Sequence, residues 1–258
     1  MCKGVVEVMQ LYNGNCLEIM KTIADNSVDA IITDLPYGTT KCAWDVIIPF
    51  EEMWNQYLRI AKYNAPIILF GQEPFSSMLR LSNLDMFKYD IYWEKERLTN
   101  ITQVKNRPGK VIEIISVFYR SQPTYNPQMV EHNGPLVTNK VKNGVLGKLS
   151  DTATHKVAEY NDMGVRYPTQ LWKFKRDILT ENIHETQKPV ALMEELVKTY
   201  TNVGDLVLDS CMGSGTTGVA CKHLNRDFIG IELNKEYFET AKSRIDEVTE
   251  ELDFSDFI

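Results

Sequence analysis

LVLDSCMGSGTTGVAC, from Leu206 to Cys221, carries the strongest structural signal in this sequence. It begins as an apolar run of strand length and ends in a helical pattern, and Gly213, Gly215 and Gly218 give it the spacing G-x-G-x-x-G. Glycine lets a backbone turn sharply and approach a ligand closely. A strand that passes through such a loop into a helix is typical of a cofactor site at the carboxyl edge of a parallel sheet.

A second acid lies at the expected distance from this loop. The strand ends on Asp209, and the next strand, FIGIE, ends on Glu232, 17 residues beyond Gly215. An acid at the end of the second strand accepts hydrogen bonds from ribose hydroxyls, so the pair indicates an adenosine-containing cofactor. Both a nicotinamide dinucleotide and S-adenosylmethionine fit this pattern, and a tight strand-to-helix turn without a ligand is the plain structural alternative. The position late in the chain, and a loop without a basic residue for a pyrophosphate, favour S-adenosylmethionine.

Outward from the loop, apolar runs of strand length alternate with helical patterns. Continuous apolar runs such as APIILFG are typical of parallel strands covered on both faces. We therefore predict an α/β protein with a doubly wound, mostly parallel Rossmann-like sheet and a small irregular lobe. The predicted strands are VEVMQLY, VDAIITD, APIILFG, FKYDIYWEK, VIEIISVFYRS, LVLDS and DFIGIE, and the predicted helices are CLEIMKTIA, FEEMWNQYLRIAKY, PVALMEELVKTYT, TTGVACKHL and KEYFETAKSRIDEVTEEL.

Composition and cysteine usage narrow the class of protein. The chain has 258 residues, 43% hydrophobic and 24% charged, which is ordinary globular composition. Its five cysteines are scattered without a Cys-x-x-Cys pair, which indicates neither a disulfide framework nor a zinc site, and we expect no metal. No apolar run reaches the roughly 20 residues of a membrane span, and no signal-peptide pattern is visible. A cytoplasmic location is expected.

The charge is unevenly distributed along the chain. The net charge is −7, yet the segment from Met86 to Arg176 has 15 Lys and Arg against 8 Asp and Glu, so it carries +7 and the remainder −14. A local basic face attracts a phosphate backbone even on an acidic protein. Solvated loops that happen to be basic would give the same pattern.

An acid, a proline and an aromatic residue end the second predicted strand. The run VDAIITDLPYG places Asp34, Leu35, Pro36 and Tyr37 at its carboxyl end. Taken alone, it reads as a turn-capping acid beside a packed aromatic ring. The cofactor loop elsewhere in the chain favours a catalytic corner instead.

Three motifs in one order resemble a known family, the amino-group DNA methyltransferases. LDSCMGSGTTGVAC resembles their cofactor loop, TDLPYG their Asp-Pro-Pro-Tyr catalytic motif, and HETQKPVALMEELV the segment that precedes the loop. Catalytic motif first and cofactor loop last is similar to the β subgroup. The resemblance covers roughly residues 9–120 and 180–245.

The sequence departs from the family pattern at four positions. Leu35 replaces the first proline of the catalytic motif, Glu185 replaces a proline, Cys211 stands where phenylalanine is common, and Asn15 stands where aspartate is common. In the family, the residue at Leu35 contributes only its main-chain carbonyl, so this change is compatible with activity.

The resemblance implies a site-specific DNA adenine-N6 methyltransferase that uses S-adenosylmethionine and acts on a flipped-out adenine in duplex DNA. Cytosine-N4 methylation is the alternative within the family. The implied catalytic residues are Asp34, Leu35, Pro36 and Tyr37; the implied cofactor residues are Asn15, Cys16, Asp34, Lys188, Asp209, Cys211, Gly213, Ser214, Gly215, Thr216, Glu232 and Asn234; and the expected DNA contacts are Lys95, Lys105, Arg107, Lys110 and Tyr119.

The same resemblance divides the chain into three parts. Residues 1–94 form the catalytic half, 95–180 the DNA target-recognition region with its loops, and 181–258 the cofactor half. Family members are often dimers, so a homodimer is compatible with the sequence, although no feature marks an interface. A nicotinamide-dependent oxidoreductase, a silent DNA-binding relative and a methyltransferase for RNA or protein amines are the remaining alternatives.

Overall fold

The structure, a computed structural model, describes residues 8–38, 45–131, 164–175 and 187–248. The chain divides into two compact units, one formed by Met1–Asn126 with Gln170–Ile258 and the other by Pro127–Thr169. In the described residues, no helix is long and apolar enough to cross a membrane.

Strands and helices alternate along the described chain, as the apolar pattern predicts. The strands are β1 (Met9–Asn13), β2 (Ala30–Asp34), β3 (Ile67–Gly71), β4 (Phe87–Glu94), β5 (Ile112–Phe118), β6 (Val130–Glu131), β7 (Val165–Arg166), β8 (Leu171–Lys173), β9 (Leu206–Asp209) and β10 (Asp227–Glu232). The helices are α1 (Cys16–Met20), α2 (Phe50–Ile60), α3 (Phe75–Ser82), α4 (Val190–Tyr200), α5 (Thr216–His223) and α6 (Lys235–Glu247), with a 3-10 turn at Ile101–Gln103.

Eight strands form the sheet of the larger unit, in the order β1-β10-β9-β2-β3-β5-β4-β8. Its pairs are parallel except those that β5 makes with β3 and β4. The predicted doubly wound, mostly parallel sheet is therefore confirmed. In the described part of the smaller unit, β6 and β7 form a two-stranded antiparallel pair.

Both faces of the sheet are covered by helices, which explains the unbroken apolar runs. Ile31 of β2 packs in a cluster with buried residues of α1, α2 and α3, whereas its neighbour Ile32 packs in a second cluster with α4, α5 and α6. Successive side chains of a strand point to opposite faces, so a strand buried on both sides needs apolar residues at every position.

The order of the strands brings the two ends of the sequence together. β2, from the first part of the chain, lies beside β9, from the last part, and the two run parallel. From this pair the chain continues in opposite directions across the sheet, from β2 to β3 and from β9 to β10. Ligands of such sheets bind outside the carboxyl ends of the strands at this switch point.

Four elements, α3, β6, β7 and β8, have no clear signal in the apolar pattern of the sequence and were not predicted. β6, β7 and β8 have two or three residues each, too few for an alternating pattern. α3 has eight residues that include three serines, and two of its apolar side chains, Met78 and Leu81, are exposed, which blurs its helical period. The predicted final helix extends past Val248, where the described residues end.

Candidate active site

A cavity of about 810 Å³ lies at the carboxyl edge of β2 and β9. Its size falls in the range of roughly 300–1,000 Å³ that is usual for ligand pockets. The glycine loop after β9 and the Asp34 corner after β2 both line it. Of the predicted site residues, those that line the cavity are Asn15, Cys16, Asp34, Leu35, Pro36, Tyr37, Lys95, Arg107, Lys110, Lys188, Asp209, Cys211, Gly213, Ser214, Thr216 and Glu232.

Asp209 holds the glycine loop in shape. Its carboxylate is 3% exposed and accepts hydrogen bonds from the Thr33 hydroxyl at 2.7 Å, the Thr217 hydroxyl at 2.5 Å and the Cys211 backbone N–H at 3.1 Å. Burial raises the pKa of Asp209 to about 6, against the lowering effect of these donors. Because Thr33 precedes Asp34 on β2, this bond also joins the loop to the predicted catalytic strand.

The loop turns through left-handed backbone conformations before α5 begins. Gly213 and Gly215 have φ angles of 53° and 79°. A Cβ atom at Gly215 would come within 2.8 Å of the Ala241 Cβ atom on α6, so only glycine fits this close approach. Gly215 and α6 thus fix the height of the loop above the sheet.

Glu232 faces the cavity from the end of β10. It is 8% exposed, and its two oxygens accept hydrogen bonds from the backbone N–H groups of Gly213 at 2.9 Å and Asn234 at 2.8 Å. Burial raises its pKa. Each carboxylate oxygen has two lone pairs, so Glu232 keeps acceptor sites for a ligand hydroxyl.

The first turn of α1 forms the next wall of the cavity. The Asn15 side-chain oxygen caps this helix by accepting from the Leu17 N–H at 2.9 Å. Cys16 follows, and its thiol is hydrogen-bonded to the thiol of Cys211; this bond lowers the pKa of Cys16. The predicted cofactor residues of β1–α1 and of the loop after β9 therefore lie side by side.

These residues fit an adenosine cofactor that carries an amino-acid chain. Two buried acids and an asparagine lie at the carboxyl ends of three adjacent strands, β1, β10 and β9, and the loop approaches the cavity closely with its backbone. The loop from Asp209 to Thr216 contains no basic side chain, which suits a ligand without a pyrophosphate.

Asp34 and Tyr37 form a compact corner at the end of β2. The Tyr37 hydroxyl donates a hydrogen bond to Asp34, and the Tyr37 ring packs on Phe75 with 5.1 Å between ring centroids. Leu35 is 3% exposed and packs in the core under this corner. An apolar leucine satisfies that packing, which is why the corner forms without a proline at this position.

Two lysines and two acids form an ion network behind the corner. Lys188 pairs with Asp34 and, at 2.9 Å, with Glu113; Glu113 also pairs with Lys95. Burial alone would raise the pKa of Glu113, but the two ammonium groups lower it to about 2. Burial opposes the charge of Lys188, but Asp34 and Glu113 outweigh it and raise its pKa. Glu113 and Lys188 are therefore both charged near neutral pH.

The chain also matches known proteins. The sequence profile of a family described as DNA methylase matches residues 28–243. The chain belongs to the N6/N4 DNA methylase family. This match confirms the resemblance to the amino-group DNA methyltransferases that the three motifs indicated.

Its relatives match over most of their length. The type II methyltransferase M.HpaI of Haemophilus parainfluenzae is 30% identical over 254 residues, which cover 92% of this chain and 74% of that protein. The DNA adenine methyltransferase YhdJ of Escherichia coli K12 is 31% identical and covers 93% and 83%. The crystal structure of an M1.HpyAVI–SAM complex has a TM-score of 0.62 at 30% identity and covers 93% of this chain and all of the other.

Two expected DNA contacts of the methylase need correction. Lys95 is 6% exposed and pairs with Glu113, so its ammonium is not offered to a phosphate backbone. Tyr119 follows β5, which runs antiparallel to β3, and it therefore lies at the edge of the sheet opposite the cavity. Tyr119 does not line the cavity and cannot contact a base that is bound beside Asp34.

Three other predicted residues also lie outside the cavity lining, namely Gly215, Asn234 and Lys105. Asn234 caps α6 through its side-chain oxygen, and its backbone N–H orients Glu232. Lys105 is exposed in the loop between β4 and β5. The cofactor contacts of Gly215 and Asn234 stay predictions, as does the DNA contact of Lys105.

Two further residues, Glu113 and Thr33, contact the predicted site residues and were not predicted from the sequence. Glu113 is a charged residue within the apolar run VIEIISVF, and a charge inside a buried strand was the available signal. Because β5 is antiparallel, its first residues, rather than its last, lie at the cavity. The basic segment from Met86 to Arg176 and the motif HETQKPVALMEELV are described only in part, because residues 132–163 and 176–186 lie outside the described residues. Among those described, no group of three or more His, Cys, Asp or Glu could hold a metal ion.

Proposed function

We propose that the protein is a site-specific DNA adenine-N6 methyltransferase that uses S-adenosylmethionine and acts on an adenine flipped out of duplex DNA. The observation that carries this proposal is the shared cavity: the Asp34 corner and the glycine loop open into one space at the switch point between β2 and β9. Adenine as the target is supported by the Asp at position 34 and by the 31% identity to a protein named a DNA adenine methyltransferase.

The chemistry requires activation of a poor nucleophile. The lone pair of an exocyclic amine is delocalised into the base ring, and two acceptors on its N–H groups draw the nitrogen towards a tetrahedral shape. We assign these acceptors to the Asp34 carboxylate and the Leu35 main-chain carbonyl. When bound, S-adenosylmethionine supplies the methyl group from its sulfonium. The amino nitrogen gives up one proton as it gains the methyl group, and we assign the Asp34 carboxylate as its acceptor.

The corner also suits an extruded base. A base inside the duplex is out of reach, so it must flip. Pro36 restricts the backbone of the turn, and packing on Phe75 holds the Tyr37 ring in place. Base stacking on an aromatic ring contributes about 1–3 kcal/mol per base. Preorganised acceptors and positioning would supply most of the rate enhancement.

The loop between β4 and β5 is the proposed DNA contact. Its ends are tied by backbone hydrogen bonds from Lys95 to Val111 at 2.7 Å and from Thr99 to Lys110 at 3.0 Å. Lys105 and Arg107 are exposed on it, and Arg107 and Lys110 line the cavity mouth. Basic side chains here would bind the phosphates that flank a base inserted at Asp34.

The decisive experiment compares Asp34→Ala with Asp25→Ala, an exposed acid whose side chain is 74% accessible. Cells that express each protein are sequenced with detection of modified bases, and cofactor affinity is measured by calorimetry. We expect the wild type and Asp25→Ala to produce N6-methyladenine at one recognition sequence, and Asp34→Ala to produce none while it binds S-adenosylmethionine within about threefold of wild type. Wild-type methylation by Asp34→Ala would reject the mechanism, and N4-methylcytosine would reject the base assignment.

The remaining alternatives have simple outcomes in the same assays. A silent DNA-binding relative would leave no modified base, and methylation of RNA in competition with duplex DNA would reject the substrate. Family membership gives no support to a nicotinamide-dependent oxidoreductase. We also propose a cytoplasmic location and keep a homodimer as a prediction, which light scattering tests.

A further inference from the structure

Glu113 lies at the centre of the ion network, although nothing in the proposed chemistry requires it. It is 3% exposed and lies on β5 at the back of the cavity. Its Oε2 atom pairs with Lys95, whose side chain is also buried. Its Oε1 atom faces Lys188 at 2.9 Å. One acid is thus held between two cations, and one of these cations also binds Asp34.

Both donors on Asp34 also reach Glu113. The Lys188 ammonium pairs with Asp34 Oδ2 and with Glu113 Oε1. The Tyr37 hydroxyl donates to Asp34 Oδ1 and lies 3.4 Å from the same Glu113 oxygen. Glu113 Oε1 is therefore the second acceptor for each group that occupies the Asp34 carboxylate.

This sharing matters because the target amine must bond to Asp34. Each oxygen of Asp34 already accepts from one donor, and the Lys188 ammonium offsets the negative charge that would otherwise raise the electron density on the bound amine nitrogen. A buried ammonium or hydroxyl that leaves its acceptor without finding another loses a full hydrogen bond. With Glu113 within reach, either donor can turn away from Asp34 and remain paired.

We propose that Glu113 is a positioning residue for methyl transfer, which receives Lys188 and the Tyr37 hydroxyl when the target amine takes their place on Asp34. This inference rests on the proposed function. Glu113 acts through its neighbours and touches neither the base nor the cofactor. Lys95 holds the opposite oxygen of Glu113, so the carboxylate keeps its orientation during the exchange.

The charges suit this role throughout the working pH range. The two lysines hold the pKa of Glu113 near 2, so it is ionised whenever DNA is bound. Burial and the charges of Asp34 and Glu113 raise the pKa of Tyr37, so its hydroxyl stays a donor. In a purely structural ion network, Glu113 would only neutralise the two lysines. This structural role and the proposed positioning role predict different methylation rates in variants.

Single-turnover methylation of duplex DNA separates these roles. We compare the wild type with Glu113→Gln, Lys188→Met and the double variant, each checked for folding by circular dichroism and for cofactor affinity by calorimetry. In Glu113→Gln, Lys188 stays on Asp34, so we expect methylation about 100-fold slower with cofactor affinity within about threefold of wild type. In the double variant that ammonium is gone, so we expect methylation at least about tenfold faster than in Glu113→Gln.

Non-additivity is the signature of the proposal. A purely structural role predicts that the double variant is as slow as Glu113→Gln or slower, and that result overturns the inference, as does a wild-type rate in Glu113→Gln. If the wild type methylates DNA, either of these two results rejects only the role of Glu113 and leaves the proposed function intact. A wild type that methylates no DNA contradicts the proposed function itself.

A structure of the wild-type complex tests the same exchange without a variant. The protein is crystallised with a non-reactive cofactor analogue and duplex DNA that carries the recognition sequence identified by sequencing. We expect the target amine on Asp34, with the Lys188 ammonium and the Tyr37 hydroxyl beyond about 3.5 Å from the Asp34 oxygens and within about 3 Å of Glu113. An amine bonded to Asp34 while either donor remains hydrogen-bonded to Asp34 overturns the inference.

Discussion

Asp209 and Glu113 are two acids with the same burial and opposite electrostatics. Each is 3% exposed, Asp209 under the glycine loop after β9 and Glu113 behind the Asp34 corner. The pKa of Asp209 is raised to about 6, whereas that of Glu113 is lowered to about 2. Asp209 has neutral hydroxyl and backbone donors within hydrogen-bonding distance, and Glu113 has two ammonium groups.

The cavity has a proposed cofactor side, formed by the glycine loop, and a proposed catalytic side, formed by the Asp34 corner. The two acids show which interactions stabilise each side. The cofactor side is organised by hydrogen bonds that fix a backbone shape, and burial of the Asp209 charge costs stability near neutral pH. The catalytic side is stabilised by ion pairs between two lysines and two acids. When one of these charges is removed, a buried side chain of opposite charge loses its partner. Loss of the Asp209 charge should therefore cost little stability, whereas loss of the Glu113 charge should cost much more.

The largest effect should come from Glu113→Gln, measured as the free energy of unfolding in urea at pH 7. We expect a loss of about 3–5 kcal/mol, because Lys95 then loses its buried carboxylate partner and Lys188 keeps only Asp34. Glu194→Gln is the matched control on α4, since Glu194 is partly exposed and pairs with Lys198 and His223. It should cost less than about 1 kcal/mol. Equal losses in both variants would remove the contrast between the two sides.

A smaller effect, with a distinct pH dependence, should come from Asp209→Asn. The folded-state pKa of about 6 exceeds the ordinary 3.8. The folded wild type therefore binds a proton that the unfolded chain lacks between those values, and its stability falls as pH rises through that window. The variant lacks this loss, so its stability relative to wild type should increase by about 2–3 kcal/mol from pH 4 to pH 7. Urea titrations at both pH values measure this change, and a constant difference would show that Asp209 does not carry a buried charge.

The smallest effect concerns the rim of the catalytic side. The triple change Lys105→Ala, Arg107→Ala, Lys110→Ala should weaken DNA binding and reduce the slope of log affinity against log salt by up to about 0.9 for each phosphate contact that is lost. The control changes Lys235→Ala and Lys242→Ala, which lie exposed on α6 on the cofactor side. Fluorescence anisotropy between 50 and 200 mM salt, a range of about fourfold, measures both. An unchanged slope of log affinity against log salt in the triple variant would show that DNA binds to another part of the protein.

The positions of the glycine loop and of Glu232 at one edge of the sheet could be predicted from the sequence because the signals are local. Asp209, the glycines and Glu232 lie within one strand-loop-helix-strand segment, so spacing alone placed them together. The same reasoning placed Asp34 at the carboxyl end of a strand beside that site.

The rest of the site depends on contacts between distant segments. Glu113 reaches Asp34 only because β5 runs against its neighbours, and no local pattern in VIEIISVF reveals that direction. The reversed strand also carried Tyr119 to the wrong edge, and the ion pair with Glu113 removed Lys95 from the expected DNA surface. The sequence shows which residues could take part in the site, but the strand order and direction decide which of them lie at the cavity.

The placement of β2 beside β9 has a consequence during translation. The ribosome releases the Asp34 corner early, and more than half of the chain must follow before Asp209 and Glu232 emerge. A nascent polypeptide therefore has one wall of its cavity and lacks the other. The cavity can therefore form only after the segment from Asp209 to Glu232 has been synthesised and β9 has joined β2 in the sheet.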